Sequence, residues 1–271
     1  MTALDLADTT FTFLGLETTG LSPWFGDRVC EIALVQTQGR RIRRSFHSLV
    51  NPLMDLSPAA ASLNPLDETE LSGAPLFMDV VDQLTPLLAD SILVCHNAQF
   101  NLQFLDDEFH RLGREFQTAN LADTLLIARE YFDLPSYSLV NVAASFYLPA
   151  HRPYRALEDA LCTKNVFFAL LDSLRTIQKG LEDVIGVYNS PAWPSEGVQL
   201  PVELKEAIFS GKDLRITYID ADGEKTERTV SPLQVLGLAD YIYLRAFCHL
   251  RQGERTFRLD RIVQYQIIPG E

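Results

Sequence analysis

The sequence predicts an α/β domain, a sheet with helices on its faces, followed by a smaller β-rich domain. Three observations carry this. Strand-like runs come first and then alternate with helical ones, the order of an α/β sheet. A segment with three prolines and a glycine, Asn189–Pro201, then breaks the pattern as a linker. Beyond it, short strand-like runs recur at roughly 8–12-residue spacing, the habit of a small β-domain. Residues 1–188, 189–201 and 202–271 are therefore read as domain, linker and domain.

Taken in order, Phe11–Leu21 is an apolar run that ends in Glu17 and turns back at Thr-Thr-Gly. With Arg28–Val35 it reads as two adjacent strands. Thr10–Leu14 and Val29–Gln36 have the β-branched and aromatic character of strands, and Arg43–Val50 reads as a third after a turn at Gly39. Asn51–Leu66 reads as loop. Asp79–Leu88 has helical spacing, and the wholly apolar Ile92–Cys95 reads as a buried parallel strand. Helices are expected over His96–Arg111 after a turn, Ala122–Phe132, Ser138–Phe146 and Leu157–Leu181. In the second domain, Val202–Phe209 suggests a short helix. Leu214–Ile219, Glu227–Val230, Tyr241–Phe247 and Arg255–Leu259 suggest strands, with Asp222-Gly223 as a hairpin turn.

Composition is that of an ordinary globular chain, with 47% apolar and 22% charged residues in 271. Its apolar runs fall short of the roughly 20 residues that a membrane helix needs, and Met-Thr-Ala-Leu-Asp lacks a secretory pattern. Cys30, Cys95, Cys162 and Cys248 are scattered without a Cys-x-x-Cys pair, which fits free thiols in a reducing cytoplasm. The net charge of −13 is lopsided. Residues 200–271 hold 10 Lys/Arg against 11 Asp/Glu, and residues 1–199 hold 13 against 25. No strongly basic face follows from these numbers. Phosphate contacts would be local, for example at Arg40, Arg41, Arg43 and Arg44, whose bland reading is a solvated hairpin edge.

Three ordered motifs span Phe11–Thr163. The first is Gly15-Leu16-Glu17-Thr18-Thr19-Gly20-Leu21, followed by Asp27–Val35. The second is Val94-Cys95-His96-Asn97-Ala98-Gln99-Phe100-Asn101, and the third Tyr154-Arg155-Ala156-Leu157-Glu158-Asp159-Ala160. Together they resemble the DEDDh 3′→5′ exonucleases, with Asp123-Thr124-Leu125 and Tyr137-Ser138-Leu139 as further landmarks. The resemblance implies a ribonuclease H-like fold, a mixed central sheet flanked by helices. In that family two Mg²⁺ or Mn²⁺ ions clamp the scissile phosphate, held by about four carboxylates, and a histidine acts as general base.

This chain departs from that pattern at three places. Gly15 stands where the family has a metal-bridging Asp and offers no ligand. Asn101 replaces a catalytic Asp, keeping a neutral acceptor but losing the charge. Tyr154 replaces the catalytic His, and a phenol with an ordinary pKa near 10 is a poor base at neutral pH. Glu17 and Asp159 are the catalytic remnants and the only matched metal ligands, weak ones at best. Glu158, Asp106, Asp107 and His151 are poorly placed to stand in. Thr18, Thr19 and Leu21 match the part of the motif that cradles the 3′-terminal nucleotide. His96, Asn97 and Phe100 match too, with packing of the strand-to-helix turn as the structural alternative.

Lys205–Ile268 resembles a WYL domain, a small bacterial β-barrel module of SH3/Sm-like type. The landmarks are Tyr218, Arg228–Pro232, Tyr241–Cys248 and Arg255–Ile262, with Ile242 where the name-giving Trp would stand. The resemblance implies a regulatory, ligand-sensing module that takes nucleotides or oligonucleotides. Arg228, Arg245, Arg255 and Arg258 are candidate phosphate contacts, and Tyr218, Tyr243 and Phe257 candidate stacking faces; core aromatics and edge-strand charges are the alternative. Arg261 is expected to pair with Asp260 or a neighbouring acid.

The leading expectation is a catalytically inactive or strongly impaired exonuclease-like protein of the bacterial cytoplasm, a pseudoenzyme. It binds single-stranded nucleic acid, a 3′ end or a partner protein, and no membrane. No cofactor is expected. The alternatives are a residual Mg²⁺- or Mn²⁺-dependent exonuclease using Glu17 and Asp159, and a non-catalytic assembly scaffold that forms a homodimer.

Overall fold

A computed structural model describes residues 6–20, 22–56, 60–61, 66–89, 91–116, 120–149, 155–187, 200–220, 223–238 and 241–268. The first sheet has five strands in the order β3-β2-β1-β4-β5. These are β1 (Thr10–Thr18), β2 (Val29–Gln38), β3 (Arg41–Leu49), β4 (Ile92–Cys95) and β5 (Asn120–Asp123). β2 and β3 run antiparallel, whereas β4 runs parallel to both β1 and β5. The sheet is therefore mixed, as expected.

Both faces are covered. On one, Phe11, Phe13, Ala33, Val35 and Val94 pack with helices α4 (Thr124–Tyr131), α5 (Leu139–Ser145) and α6 (Ala156–Arg175). On the other, Leu14, Leu16, Ile32, Leu34 and Leu93 pack with α2 (Phe77–Leu88) and α3 (Ala98–Arg111). A short helix, α1 (Glu68–Ser72), precedes α2, capped by the Asp67 carboxylate accepting from Thr69 N–H at 2.7 Å. Strand side chains alternate between faces. Gly15 and Glu17 thus continue the Phe11–Phe13 series towards α6, and Glu31 continues that of Ala33 and Val35. This period-2 rule puts the first motif against the helix that carries the third.

The C-terminal region builds a second five-stranded sheet, antiparallel throughout, in the order β10-β6-β7-β8-β9. Its strands are β6 (Leu214–Ile219), β7 (Lys225–Leu238), β8 (Tyr241–Cys248), β9 (Gly253–Arg258) and β10 (Ile262–Ile267). Helix α7 (Val202–Ser210) precedes them. Among the described residues no pairing joins β9 to β10.

Several expectations are corrected. The helix read from Ala122 begins at Thr124, because Leu121, Ala122 and Asp123 pair in parallel with Leu93, Val94 and Cys95. Asp123 then caps the helix, accepting from Leu125 N–H at 2.9 Å. The helix read to Leu181 ends at Arg175. β7 runs through Pro232 to Leu238, well past Val230. Its register against β8 shifts between Pro232 and Gln234, a bulge of the kind that tolerates proline. β10 was not anticipated. Asp222 and most of the linker, 189–199, lie outside the described residues. Among those described, no helix is long and apolar enough to cross a membrane.

By compactness the chain divides into two units. The first comprises Met1–Glu17, Val29–Met54 and Asn64–Asn189; the second comprises Thr18–Arg28, Asp55–Leu63 and Ser190–Glu271. The loop between β1 and β2 thus belongs to the C-terminal unit. In that unit's core Trp24 lies with Leu200, Leu204, Ala207, Ile208 and Val235.

Candidate nuclease-type site and C-terminal sheet

Gly15 sits where β1 meets the first turn of α6. A Cβ at this position would overlap the Ala156 carbonyl oxygen and come within 3.1 Å of the Ala160 backbone nitrogen. Both atoms are main chain and belong to a helical turn, so neither yields as a flexible side chain would. The room an aspartate would need is filled by the helix itself.

Two residues on, Glu17 is buried, and its pKa is pushed up to about 8. Burial is the largest cause, followed by the charges of Asp159 and Glu31, with Arg155 opposing. Asp159 lies in the first turn of α6 and is part-buried. The two remnants are close enough for the charge of Asp159 to raise the Glu17 pKa.

Glu31, on the neighbouring strand, behaves in the opposite way. Its carboxylate is fully buried and accepts from Arg155 Nη2 at 3.0 Å, Arg155 Nε at 3.1 Å and Ala156 N–H at 3.0 Å, with His47 Nε2 at 2.7 Å. Burial alone would raise its pKa, but these bonds outweigh it and hold it below the carboxylate norm. Glu31 thus ties the start of α6, where Gly15 also presses, to β2 and β3. Sequence reasoning missed this role, although Glu31 was quoted in the first motif and Arg155 in the third.

Asn101 is turned towards its own helix entry. Its amide donates to the carbonyls of His96 at 3.0 Å and Asn97 at 3.1 Å, bonds an aspartate has no hydrogen to make. The same turn is held by buried Asp123, which accepts from Asn97 N–H at 3.0 Å and Ala98 N–H at 2.8 Å while Asn97 adopts a left-handed φ of 65°. His96 lies between Thr124 Oγ1 at 2.9 Å and the Tyr137 carbonyl at 3.0 Å. The carbonyl can only accept, so Nε2 carries the hydrogen. Burial, the main cause, takes the pKa of His96 down to about 4 and keeps the ring neutral. Phe100 packs on Phe104 at a ring-centroid distance of 5.0 Å. His96, Asn97 and Phe100 thus stand at the strand-to-helix turn.

Thr18 donates to the Gly20 carbonyl at 2.7 Å, and Thr19 Oγ1 accepts from Arg28 N–H at 2.9 Å. Tyr154, His151 and Leu21 lie outside the described residues. Among those described, no group of three or more His, Cys, Asp or Glu is arranged to hold a metal ion. The observed donor set does not fit a pair of divalent cations. Of the family's acidic positions Glu17 and Asp159 remain, and at Gly15 the space for a side chain is filled by helix backbone.

In the C-terminal sheet, the β8–β9 register sorts the candidate ligand residues. Tyr243 lies opposite Arg258 and Arg245 opposite Thr256, on one face. Phe257 lies opposite Leu244 and Arg255 opposite Ala246, on the other, where Leu244, Ala246 and Phe257 are buried. Arg245 and Arg258 therefore share a face and Arg255 does not join them. Phe257 is a core residue, edge-on to Tyr218 at 5.3 Å. The Arg258 guanidinium stacks 3.5 Å from the Tyr241 ring centroid and pairs with Asp260 at 2.6 Å, the partner expected for Arg261. Arg245 lies 4.0 Å from Glu254, and Arg228 Nε reaches Thr226 Oγ1 at 3.3 Å.

A cluster that no motif announced joins Ser231, Asp213 and His249. Ser231 Oγ donates to Asp213 at 2.6 Å and lies 2.8 Å from His249 Nε2, which is itself 3.4 Å from Asp213. Both histidine contacts fall on one nitrogen, so the ring does not relay between acid and hydroxyl as in a hydrolase triad. It is a clasp joining the start of β6 to β7 and the end of β8. In the β2–β3 turn Arg40 pairs with Asp172 at 2.5 Å, and on the edge strand β3 Arg44 donates to Gln36 at 2.8 Å and Arg43 to Gln38 at 2.6 Å.

Comparison with known proteins agrees with this architecture. The family model described as Exonuclease matches residues 13–167, more than half of the chain, and that of the WYL domain matches residues 201–267. Similar proteins include the PolC-type DNA polymerase III of Caldanaerobacter subterraneus, 33% identical over 62% of this chain but only 12% of that protein. The DNA polymerase III epsilon subunit of Rickettsia conorii is 31% identical over 66% of this chain and 80% of its own. The chain thus spans about an eighth of the PolC-type relatives it matches. Among solved structures, exonuclease X in complex with 5′ overhanging duplex DNA aligns with a TM-score of 0.50 at 24% identity, over 64% of this chain and 96% of that one. Apo exonuclease I aligns over 94% of this chain and 64% of its own, with a TM-score of 0.54 at 15% identity, a likeness of fold alone. By its motifs, its mixed sheet and these matches, the chain belongs to the exonuclease family and carries a C-terminal WYL domain.

Proposed function

We propose that this protein holds a nucleic-acid end, or a partner, without cleaving it, and that its WYL domain is a ligand-sensing regulatory module. The observation that carries the non-cleaving half is Gly15. The first turn of α6 fills the space of the missing aspartate, so the loss is built into the packing. Two cations a few ångströms apart need more negative charge than Glu17 and Asp159 supply, and Glu17 favours its proton. Asn101 supports the same reading, because its amide is committed to the helix entry.

The binding half rests on kinship. Relatives are named as polymerase and exonuclease proteins, and neighbours in fold include structures titled as complexes with duplex DNA and with a dA16 oligonucleotide. The four cysteines are buried and free, in keeping with a reducing cytoplasm. For the WYL domain, the face shared by Tyr243, Arg245 and Arg258 is the proposed place for a nucleotide or oligonucleotide.

The test is binding of a fluorescein-labelled single strand, linear against circular, at several salt concentrations. Recognition of an end predicts at least tenfold tighter binding of the linear form, weakening as salt rises. Equal affinity for both forms contradicts end recognition. Binding of neither form, with self-association on sizing, favours the assembly reading.

A further inference from the structure

We infer that the loop between β1 and β2 is a strap held by the C-terminal unit, and that this hold restrains nucleic-acid binding at the first motif. The inference rests on the end-binding reading above and adds its regulation. The loop links two neighbouring strands of the first sheet, yet Thr18–Arg28 belongs to the second compact unit. Trp24 is the anchor, 8% exposed within the hydrophobic cluster that contains Leu204 and Ala207 of α7 and Val235 of β7. Ser22 adds a polar tie, donating its hydroxyl to the Val235 carbonyl at 3.3 Å.

The loop is also closed on itself. The Asp27 carboxylate accepts from Ser22 N–H at 3.0 Å and from Thr19 Oγ1 at 3.4 Å, and it lies where a side chain on Gly20 would go. A 3₁₀ turn at Pro23–Phe25 ends in Gly26 with φ 88°, a left-handed conformation that suits glycine. The result is a preformed hook whose tip carries the buried Pro23 and Trp24. Thr18 and Thr19, expected to cradle a terminal nucleotide, have their hydroxyls bonded within the loop. Thr18 spends its hydroxyl hydrogen on the Gly20 carbonyl and Thr19 on Asp27, so donating either one to a nucleotide breaks a bond within the loop. Because the loop is continuous with β1, whatever loosens Trp24 changes the segment that follows Glu17.

The experiment uses the full chain with Trp24→Ala, the conservative Trp24→Phe, and Asp27→Ala as a second route to opening that leaves the C-terminal core filled. Hydrogen exchange reports the release of 18–28, and anisotropy of a fluorescein-labelled 15-mer of thymidylate reports binding. The expected result is faster exchange in 18–28 and at least tenfold tighter binding for Trp24→Ala and Asp27→Ala, with Trp24→Phe like the native chain. If the variants release the loop while binding stays at the native level, the strap is overturned and end binding stands. If neither native nor released chain binds, the end-binding reading falls and the strap with it. Unchanged exchange in Asp27→Ala and Trp24→Ala also overturns the strap.

Discussion

Glu17 and Glu31 are two buried carboxylates on neighbouring strands, facing the same helix, and they have opposite fates. Glu31 is charged, with Arg155, His47 and the Ala156 amide gathered around it. Glu17 is the family's catalytic position by resemblance, yet it is pushed up to about 8 by burial and by its acidic neighbours. The difference lies in who supplies the positive charge. Glu31 has the Arg155 guanidinium and the Ala156 amide from the chain itself and therefore holds α6 in place. Glu17 has acidic neighbours instead, Asp159 and Glu31, with Arg155 opposing them. Burial thus acts on both carboxylates, and only at Glu31 do hydrogen bonds outweigh it.

Breaking this contrast has graded consequences. The largest is expected from Gly15→Asp, which drives a carboxylate into the Ala156 carbonyl. Overpacking and a badly solvated charge together should cost about 4 kcal/mol or more in urea unfolding. Unaltered stability would mean that α6 does not press on β1.

Next comes Glu31→Ala, which leaves Arg155 and the Ala156 amide without their shared acceptor. Loss of a buried pair costs about 3–5 kcal/mol, and the lower end is expected because the Arg155 side chain is 37% exposed and can rehydrate. The two glutamates should then differ in the sign of their pH response. Stability from Glu31 is present above its ordinary value of 4.5 and is lost as pH falls through its lowered folded value. For Glu17 the folded chain binds the proton more tightly, so stability is full below 4.5 and falls as pH rises towards about 8. The slope is at most about 1.4 kcal/mol per pH unit. Glu17→Gln should flatten the curve across that window, and an unchanged slope would show that Glu17 is not the titrating group.

Much of the fold was legible because its signals are local. Ile92–Cys95 is wholly apolar, and Leu214–Ile219 is bounded by turn residues, so both strands were read at their observed limits. The last two residues of β5, Ala122 and Asp123, were read as helix because so short a strand before a helical run carries no period of its own; its pairing with β4 defines it. The motif positions were legible through resemblance, and Gly15 and Asn101 stood out as departures. What each side chain touches was not. That Gly15 abuts the turn at Ala156, that Asn101 donates to two carbonyls, and that Glu31 gathers Arg155 and His47 all depend on elements far apart in sequence. The same holds for Ser231, Asp213 and His249, and for Trp24, an aromatic in an ordinary loop that is buried with residues beyond the linker.

The central claim is that this site does not cleave. Its most direct test is digestion of 5′-labelled single-stranded DNA and RNA with Mn²⁺ at high protein concentration, with the native chain beside Asp159→Ala. The account predicts intact strands from both proteins. A ladder of shortened products made by the native chain and absent with Asp159→Ala would contradict it, and would mean that Glu17 and Asp159 still support catalysis.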